Sequence, residues 1–311
     1  MPLLIDWHSH HTPPELVEKL ASLGGRKPRI DDYDSPDFSK RVKEMDEAGL
    51  DLQLVCQGAG VHADFLPPGQ AMEMVRESNN LLAQRLTAYR DRLMGVMAIS
   101  LKNAEGSVAE IDRMAAQGFR AVLMYSGVNG EVLVDRPESE PLLAKIAELD
   151  LPIFLHGGGG RTDPSLKRLE DGGAGVSASA LADAGVSECV VRMIASGVFD
   201  RHPNLQVVIR SGGGGIPLLL NKLFWKHKGP SGEKRYSEIL LEHFLVDTAG
   251  VNPRTLQFLL DTLGSERVVF GSDYCGGLGP LKKAMPVIEE QPDPNSIKSV
   301  MERNSRRLLH I

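Results

Sequence analysis

Two histidines one residue apart, His8 and His10, lie in the run IDWHSHH near the N-terminus. A strand repeats its facing every two residues, so both imidazoles fall on one side and can reach a single cation. Two more candidates close other apolar runs: His156 ends LPIFLH and Asp273 ends VVFGSD. Imidazole and carboxylate are borderline-to-hard ligands that suit zinc, manganese or iron. The chemistry expected of such a set is that of one divalent metal ion held by His8, His10, His156 and Asp273. A lone strand histidine usually belongs to the core or surface. Three histidines and an aspartate, all at strand ends, form a pattern that packing alone does not require.

Residues so far apart in sequence need a scaffold that gathers strand ends. Eight apolar runs can supply it: 3–8, 50–57, 93–100, 119–125, 151–156, 205–211, 244–249 and 268–273. Most lack strict alternation, as expected for parallel strands buried on both faces. Between them lie segments of helical spacing, such as Ala71–Tyr89, Pro141–Leu149 and Val186–Phe199, and Asn252–Pro253 is a helix-start signal. Strand and helix alternating eight times predict an α/β fold, a (β/α)8 barrel, with a doubly wound open sheet as the alternative. Active sites on such barrels collect at the carboxyl ends of the strands, where all four candidates stand. Two longer loops, Gly24–Phe38 and the glycine-rich Gly157–Leu181, are candidate lids. No shift of composition divides residues 1–311, so one barrel domain is expected.

Composition narrows the function. The chain has 311 residues, 42% of them hydrophobic, and a formal charge of −6. That balance provides no positive field for nucleic acid. No stretch approaches the roughly 18–20 apolar residues that span a bilayer, and the N-terminus lacks a secretory pattern. Cys56, Cys189 and Cys275 are an odd number without CxxC spacing, which argues against a disulfide framework and for the cytoplasm.

IDWHSHHTP from Ile5 resembles the opening of the amidohydrolase superfamily, and specifically its aminocarboxymuconate-semialdehyde decarboxylase branch, which includes resorcylate-type decarboxylases. RVKEMDEAGLD from Arg41, the segment from Asn129 to Gly157, SGVFDRHPNLQVVI from Ser196, VVFGSDY from Val268 and RNSRRLL from Arg303 are similar to that branch's landmarks in order and spacing. The resemblance implies His8, His10, His156 and Asp273 as ligands of one ion, zinc before manganese, and a homodimer or larger assembly. It also exposes a departure. Where the branch carries a strand-six histidine before its glycines, this chain reads SGGGGIP, with Ser211 in that place. A serine hydroxyl is a poor base near neutral pH. His11 or His62 are the neighbours that could replace it.

Two routes are open to such a site. A metal-bound hydroxide could attack an acyl or unsaturated carbon, giving a hydrolase of a lactone, amide or carbon–carbon bond. Alternatively a substrate carboxylate chelates the ion and Asp273 protonates the carbon that loses carbon dioxide. The second route asks less of Ser211, so a decarboxylase of a small unsaturated or aromatic acid is the first expectation. A barrel that only binds metal or ligand is the third. A carboxylate substrate wants cations, and Arg41, Lys43, Arg210 and Lys222 are candidates, with His62 as a loop residue facing the pocket; for each, a solvated rim position is the alternative. Lys222 stands at the spacing of an arginine in the aminocarboxymuconate enzyme. Alternation sends Arg210 away from the barrel axis, a rule that weakens at a strand end, and it places Trp7 between barrel and helices.

Overall fold

The computed structural model describes residues 3–24, 38–58, 61–127, 133–157 and 176–311. Eight strands, β1 (Ile5–His11), β2 (Leu52–Gln57), β3 (Leu93–Ala98), β4 (Ala121–Tyr125), β5 (Ile153–His156), β6 (Val207–Ile209), β7 (Phe244–Asp247) and β8 (Val268–Val269), pair in parallel in sequence order. Beyond β8 the chain runs along β1 and closes the ring: Trp7 N–H donates to Phe270 O at 2.8 Å, Asp273 N–H to His8 O at 2.8 Å and His10 N–H to Tyr274 O at 2.8 Å. The (β/α)8 barrel expected from the alternation is what forms, and the open sheet is not.

Helices cover the outside because each return crossover between parallel strands needs one. Pro68–Leu86, Ala104–Ala115, Glu140–Glu148 and Pro253–Leu263 each bury an apolar stripe against the sheet. Asn103 and Asn252 cap two of them by accepting the N–H of Gly106 and Thr255. Asn79, on the buried face of Pro68–Leu86, spends its amide on both backbone groups of Ala98 at 2.8 and 3.0 Å. Gly95 on β3 is needed for close packing: a Cβ there would stand 2.2 Å from the Phe119 ring.

Two apolar layers result. Outward residues such as Val55, Val122, Ile153, Ile209 and Val246 pack with the helices. The inner layer holds Ile5, Leu54, Val96, Leu123, Phe154, Val208, Leu245 and Val269, with Leu308 and Leu309 packed against it. Trp7 belongs to this inner layer, not to the space between barrel and helices. The reason is a bulge: β1–β2 register runs Asp6↔Gln53 and then Ser9↔Val55, so three steps on β1 oppose two on β2. The extra residue lets both Trp7 and His8 face the axis while Ser9 turns outward.

The segment Gly24–Phe38 falls almost wholly outside the described residues, as do residues 158–175 of the second candidate lid. Residues 176–181 of that second segment are helical, since the helix Val176–Ala195 begins well before the expected Val186. Its alanines are strong helix formers, and their small apolar side chains leave a faint periodic signal.

Candidate metal centre

The bulge aims His8 and His10 at the barrel mouth, with Nε2 of each 3.0 Å from the other. His8 Nδ1 lies 2.7 Å from the Asp247 carboxylate, which can only accept, so Nδ1 carries the proton. His10 Nδ1 faces the Gln57 carbonyl at 3.3 Å and His156 Nδ1 faces the Gly157 carbonyl at 3.1 Å, which dictates the same tautomer. Each Nε2 is therefore a lone pair. The three rings present nitrogens within 4.8 Å of one another, all buried. Asp273 Oδ1 adds a fourth acceptor, 3.2 Å from His8 Nε2 and 3.0 Å from His10 Nε2. Acceptors converging without a donor repel unless a proton or a metal cation lies among them, so the residues fit a divalent ion.

Electrostatics agree. Burial disfavours a charged His8, yet Asp247 and Asp273 outweigh it and raise its pKa to about 10. Burial likewise opposes charge on His10, while Cys56 and Asp273 lift it to about 9. His156 is pushed well below the ordinary imidazole value, by burial first and then by the positive charge of His10, Arg210 and His8. Burial would raise the Asp273 carboxyl, but His10 and His8 hold it well below the usual carboxylate range. Asp247 and Asp273 thus favour positive charge at His8 and His10, while His156 stays a neutral imidazole.

Asp273 reaches its place through a left-handed backbone, φ 56°. Aspartate is one of the few residues that accept this conformation. Gly276 must follow it, since a Cβ there would collide with Asp273 Oδ1 at 2.0 Å and His10 at 2.5 Å. At 15% side-chain exposure Asp273 is the open member of a set in which His8 and Asp247 are sealed at 1% and 0%.

Asp247 is the residue that sequence reasoning missed. Its Oδ2 takes His8 Nδ1–H, and its Oδ1 takes the N–H of Ser211 at 2.7 Å and of Ala249 at 2.9 Å. One buried carboxylate thus ties β7 to β1 and to the end of β6. Leu245 faces the axis, and the two-residue period of β7 brings Asp247 to the same side.

Arg210 is nearer the site than alternation from Ser211 suggested. Val208 faces the axis, so Arg210 follows it inward, beside His156 across the β5–β6 register Leu155↔Ile209. Its Nε donates to Ser211 Oγ at 3.1 Å, and Asp183 Oδ1 stands 3.6 Å from the guanidinium. Ser211 sits at φ 52° and serves as a prop for Arg210.

His62 also borders the centre. It meets Asp64 Oδ2 at 3.1 Å, and its ring lies 4.0 Å from that of Tyr125, which in turn sits 5.7 Å from His156. His11 points into the outer layer, where Arg85 NH1 lies 2.5 Å from its Nε2 and Phe38 packs edge-on. Lys222 is exposed on the helical turn Leu220–Phe224 and makes no contact with the histidines among the described residues, and Lys43 is exposed beside Glu47.

Arg41 does not turn toward a substrate. It is buried, and its guanidinium donates to Ser9 Oγ at 2.9 Å, Gln53 Oε1 at 2.7 Å and the His10 carbonyl, between the rings of Phe38 and Tyr274. Its fork braces the bulge of β1 from outside the barrel. Arg41→Met is expected to cost about 3 kcal/mol of stability by stranding these acceptors. Thermal melting checks this; an unshifted transition with a raised KM would return Arg41 to substrate binding.

Comparison with known proteins matches this arrangement to a family. A family model described as amidohydrolase covers residues 5–311. Gamma-resorcylate decarboxylase of Rhodococcus jostii is 28% identical over 251 residues, 75% of this chain and 76% of that protein. The crystal structure of 5-carboxyvanillate decarboxylase from Sphingomonas paucimobilis superposes with a TM-score of 0.87 at 23% identity, over 100% of both chains. Dihydroxybenzoic acid decarboxylase from Polaromonas sp., solved with manganese and the inhibitor 2-nitroresorcinol, gives 0.85 at 22% identity, over 100% of this chain and 97% of that one. With its barrel intact and the match running almost end to end, the chain belongs to the amidohydrolase family.

Proposed function

We propose that this protein is a metal-dependent decarboxylase of an aromatic or similarly unsaturated carboxylic acid. The observation that carries the reading is the convergence of His8, His10 and His156, with Asp273 Oδ1 against the first two and the cation of Arg210 beside His156. The decarboxylases among its relatives support it. When bound, a divalent ion supplies Lewis-acid polarisation of a carboxylate and the oxygen next to it. Zinc and manganese both suit the donor set, and zinc is our first choice.

The chain's own residues then divide the work. Arg210, held by Ser211 Oγ, offers a guanidinium to the substrate's negative charge. His62, oriented by Asp64, borders the same pocket. Asp273, the open carboxylate, relays a proton taken up from solvent to the carbon that bears the substrate's carboxylate. The new C–H bond draws on a double bond of the substrate; the bond to the carboxyl carbon then breaks, its electron pair re-forms that double bond, and carbon dioxide leaves. Solvent returns one proton to Asp273 per turnover. No step asks Ser211 to act as a base, so its presence in SGGGGIP is accommodated. Lys222 and Arg41 have no part in this scheme.

The reading includes a cytoplasmic enzyme acting on a small carboxylate as one barrel domain. All three cysteines are free, and no helix among the described residues is long and apolar enough to cross a membrane. It also includes a homodimer or larger assembly, which sedimentation as a strict monomer would refute.

Elemental analysis tests the centre directly. About one zinc or manganese per chain is expected in purified, metal-supplemented protein, lost in His156→Ala, with carbon dioxide release from hydroxybenzoates abolished by chelation and restored by the ion. Metal content below about a tenth of an equivalent would overturn the reading.

A further inference from the structure

The ends of β2 and β4 carry two buried polar atoms that the scheme above leaves unused. Gln57 Oε1 and the Tyr125 hydroxyl have no hydrogen-bond partner among the described residues, although both residues are only 4% exposed. An unpaired buried polar group costs about 1–3 kcal/mol, so a fold that keeps two side by side needs something to pair them. Both lie at the metal end of the barrel. Gln57 gives its carbonyl to His10, and Tyr125 pairs with His156 in the β4–β5 register.

We propose that Gln57 and Tyr125 form a subsite for a second ring hydroxyl of the aromatic acid, remote from the oxygen that accompanies the carboxylate at the metal. The inference rests on the decarboxylase reading for the orientation of the ring. Its chemistry comes from the two groups themselves. Oε1 can only accept, and burial keeps Tyr125 a neutral phenol, able to donate. The Gln57 amide lies alongside that phenol, near enough to temper the rise in its pKa but without hydrogen-bond geometry. A hydroxyl satisfies both atoms, donating to Oε1 and accepting from the phenol. A methyl leaves both unpaired, and a carboxylate sets oxygen against Oε1. With the amide turned over, the hydroxyl's two roles exchange and the match survives.

The subsite is held rigid. His62 leans on the Tyr125 ring at 4.0 Å and is tied to Asp64, which accepts from Ser100 Oγ at 2.5 Å and gives its carbonyl to Lys102 Nζ at 2.9 Å. A preorganised pair of this kind discriminates by hydrogen bonding, because the wrong substituent strands buried atoms.

The test uses manganese-loaded protein and calorimetric binding of 2-hydroxybenzoate against its four analogues bearing a second hydroxyl at ring position 3, 4, 5 or 6. One isomer is expected to bind about tenfold more tightly than 2-hydroxybenzoate, a gain lost in Tyr125→Phe and reduced in Gln57→Met. Tyr125→Phe should melt at or above the wild-type temperature, since it removes an unpaired hydroxyl; a purely structural tyrosine would not couple that result to lost selectivity. If no isomer gains, or the gain survives both substitutions, the subsite is wrong. Carbon dioxide release is followed in parallel. A selective site that never decarboxylates would sink the enzyme reading alone, and decarboxylation without selectivity would sink the subsite alone.

Discussion

Asp273→Asn is expected to lower decarboxylation by about 10²–10⁴-fold with the barrel intact, the scale of a lost general acid. Asparagine is the informative replacement because it tolerates the left-handed backbone at φ 56°, where alanine would add strain to the chemical loss. It also nearly preserves shape between His10 and Gly276, where there is no room for a Cβ on the glycine. Carbon dioxide release at saturating metal, with metal content measured on the same sample, separates a lost proton donor from a lost ligand. Full metal with turnover within about tenfold of wild type would remove Asp273 from the proton-transfer step.

Asp247→Asn should act on the metal through His8. An amide nitrogen opposite His8 Nδ1–H sets donor against donor, and the ring must rotate or exchange tautomers to escape. Either response takes the Nε2 lone pair away from the cluster. Loss of such an outer partner usually weakens metal binding about 10–100-fold. The same carboxylate also anchors the N–H groups of Ser211 and Ala249, so a lower melting temperature and a displaced Arg210 should accompany the change. Competition with a chromogenic chelator measures the affinity. A value equal to wild type would show that His8 needs no orienting carboxylate.

Much of the site was legible because a parallel barrel gathers strand ends, and strand ends are visible as the last residues of apolar runs. The pair at His8 and His10 needed only the strand period, and His156 and Asp273 needed only their positions at run ends. Elsewhere the phase of a strand was misjudged by one residue, which exchanges its two faces. On β6 this sent Arg210 outward. Arg41 failed for a different cause: a basic residue in a helix gives no sign that its partners are Ser9, Gln53 and a backbone carbonyl.

From residue types and their order alone came the barrel and the four side chains proposed to hold a metal, since burial on both strand faces and ligand type are local properties. Tertiary structure alone decided what supports them. The β1 bulge that turns Trp7 and His8 to the same side is set by pairing with β2. The Asp247 contact joins residues 239 positions apart. That Gln57 Oε1 and the Tyr125 hydroxyl stand without a partner among the described residues depends on which atoms are sealed from water. Each of these depends on distance through space, and sequence separation carries no such distance once the chain closes into a ring.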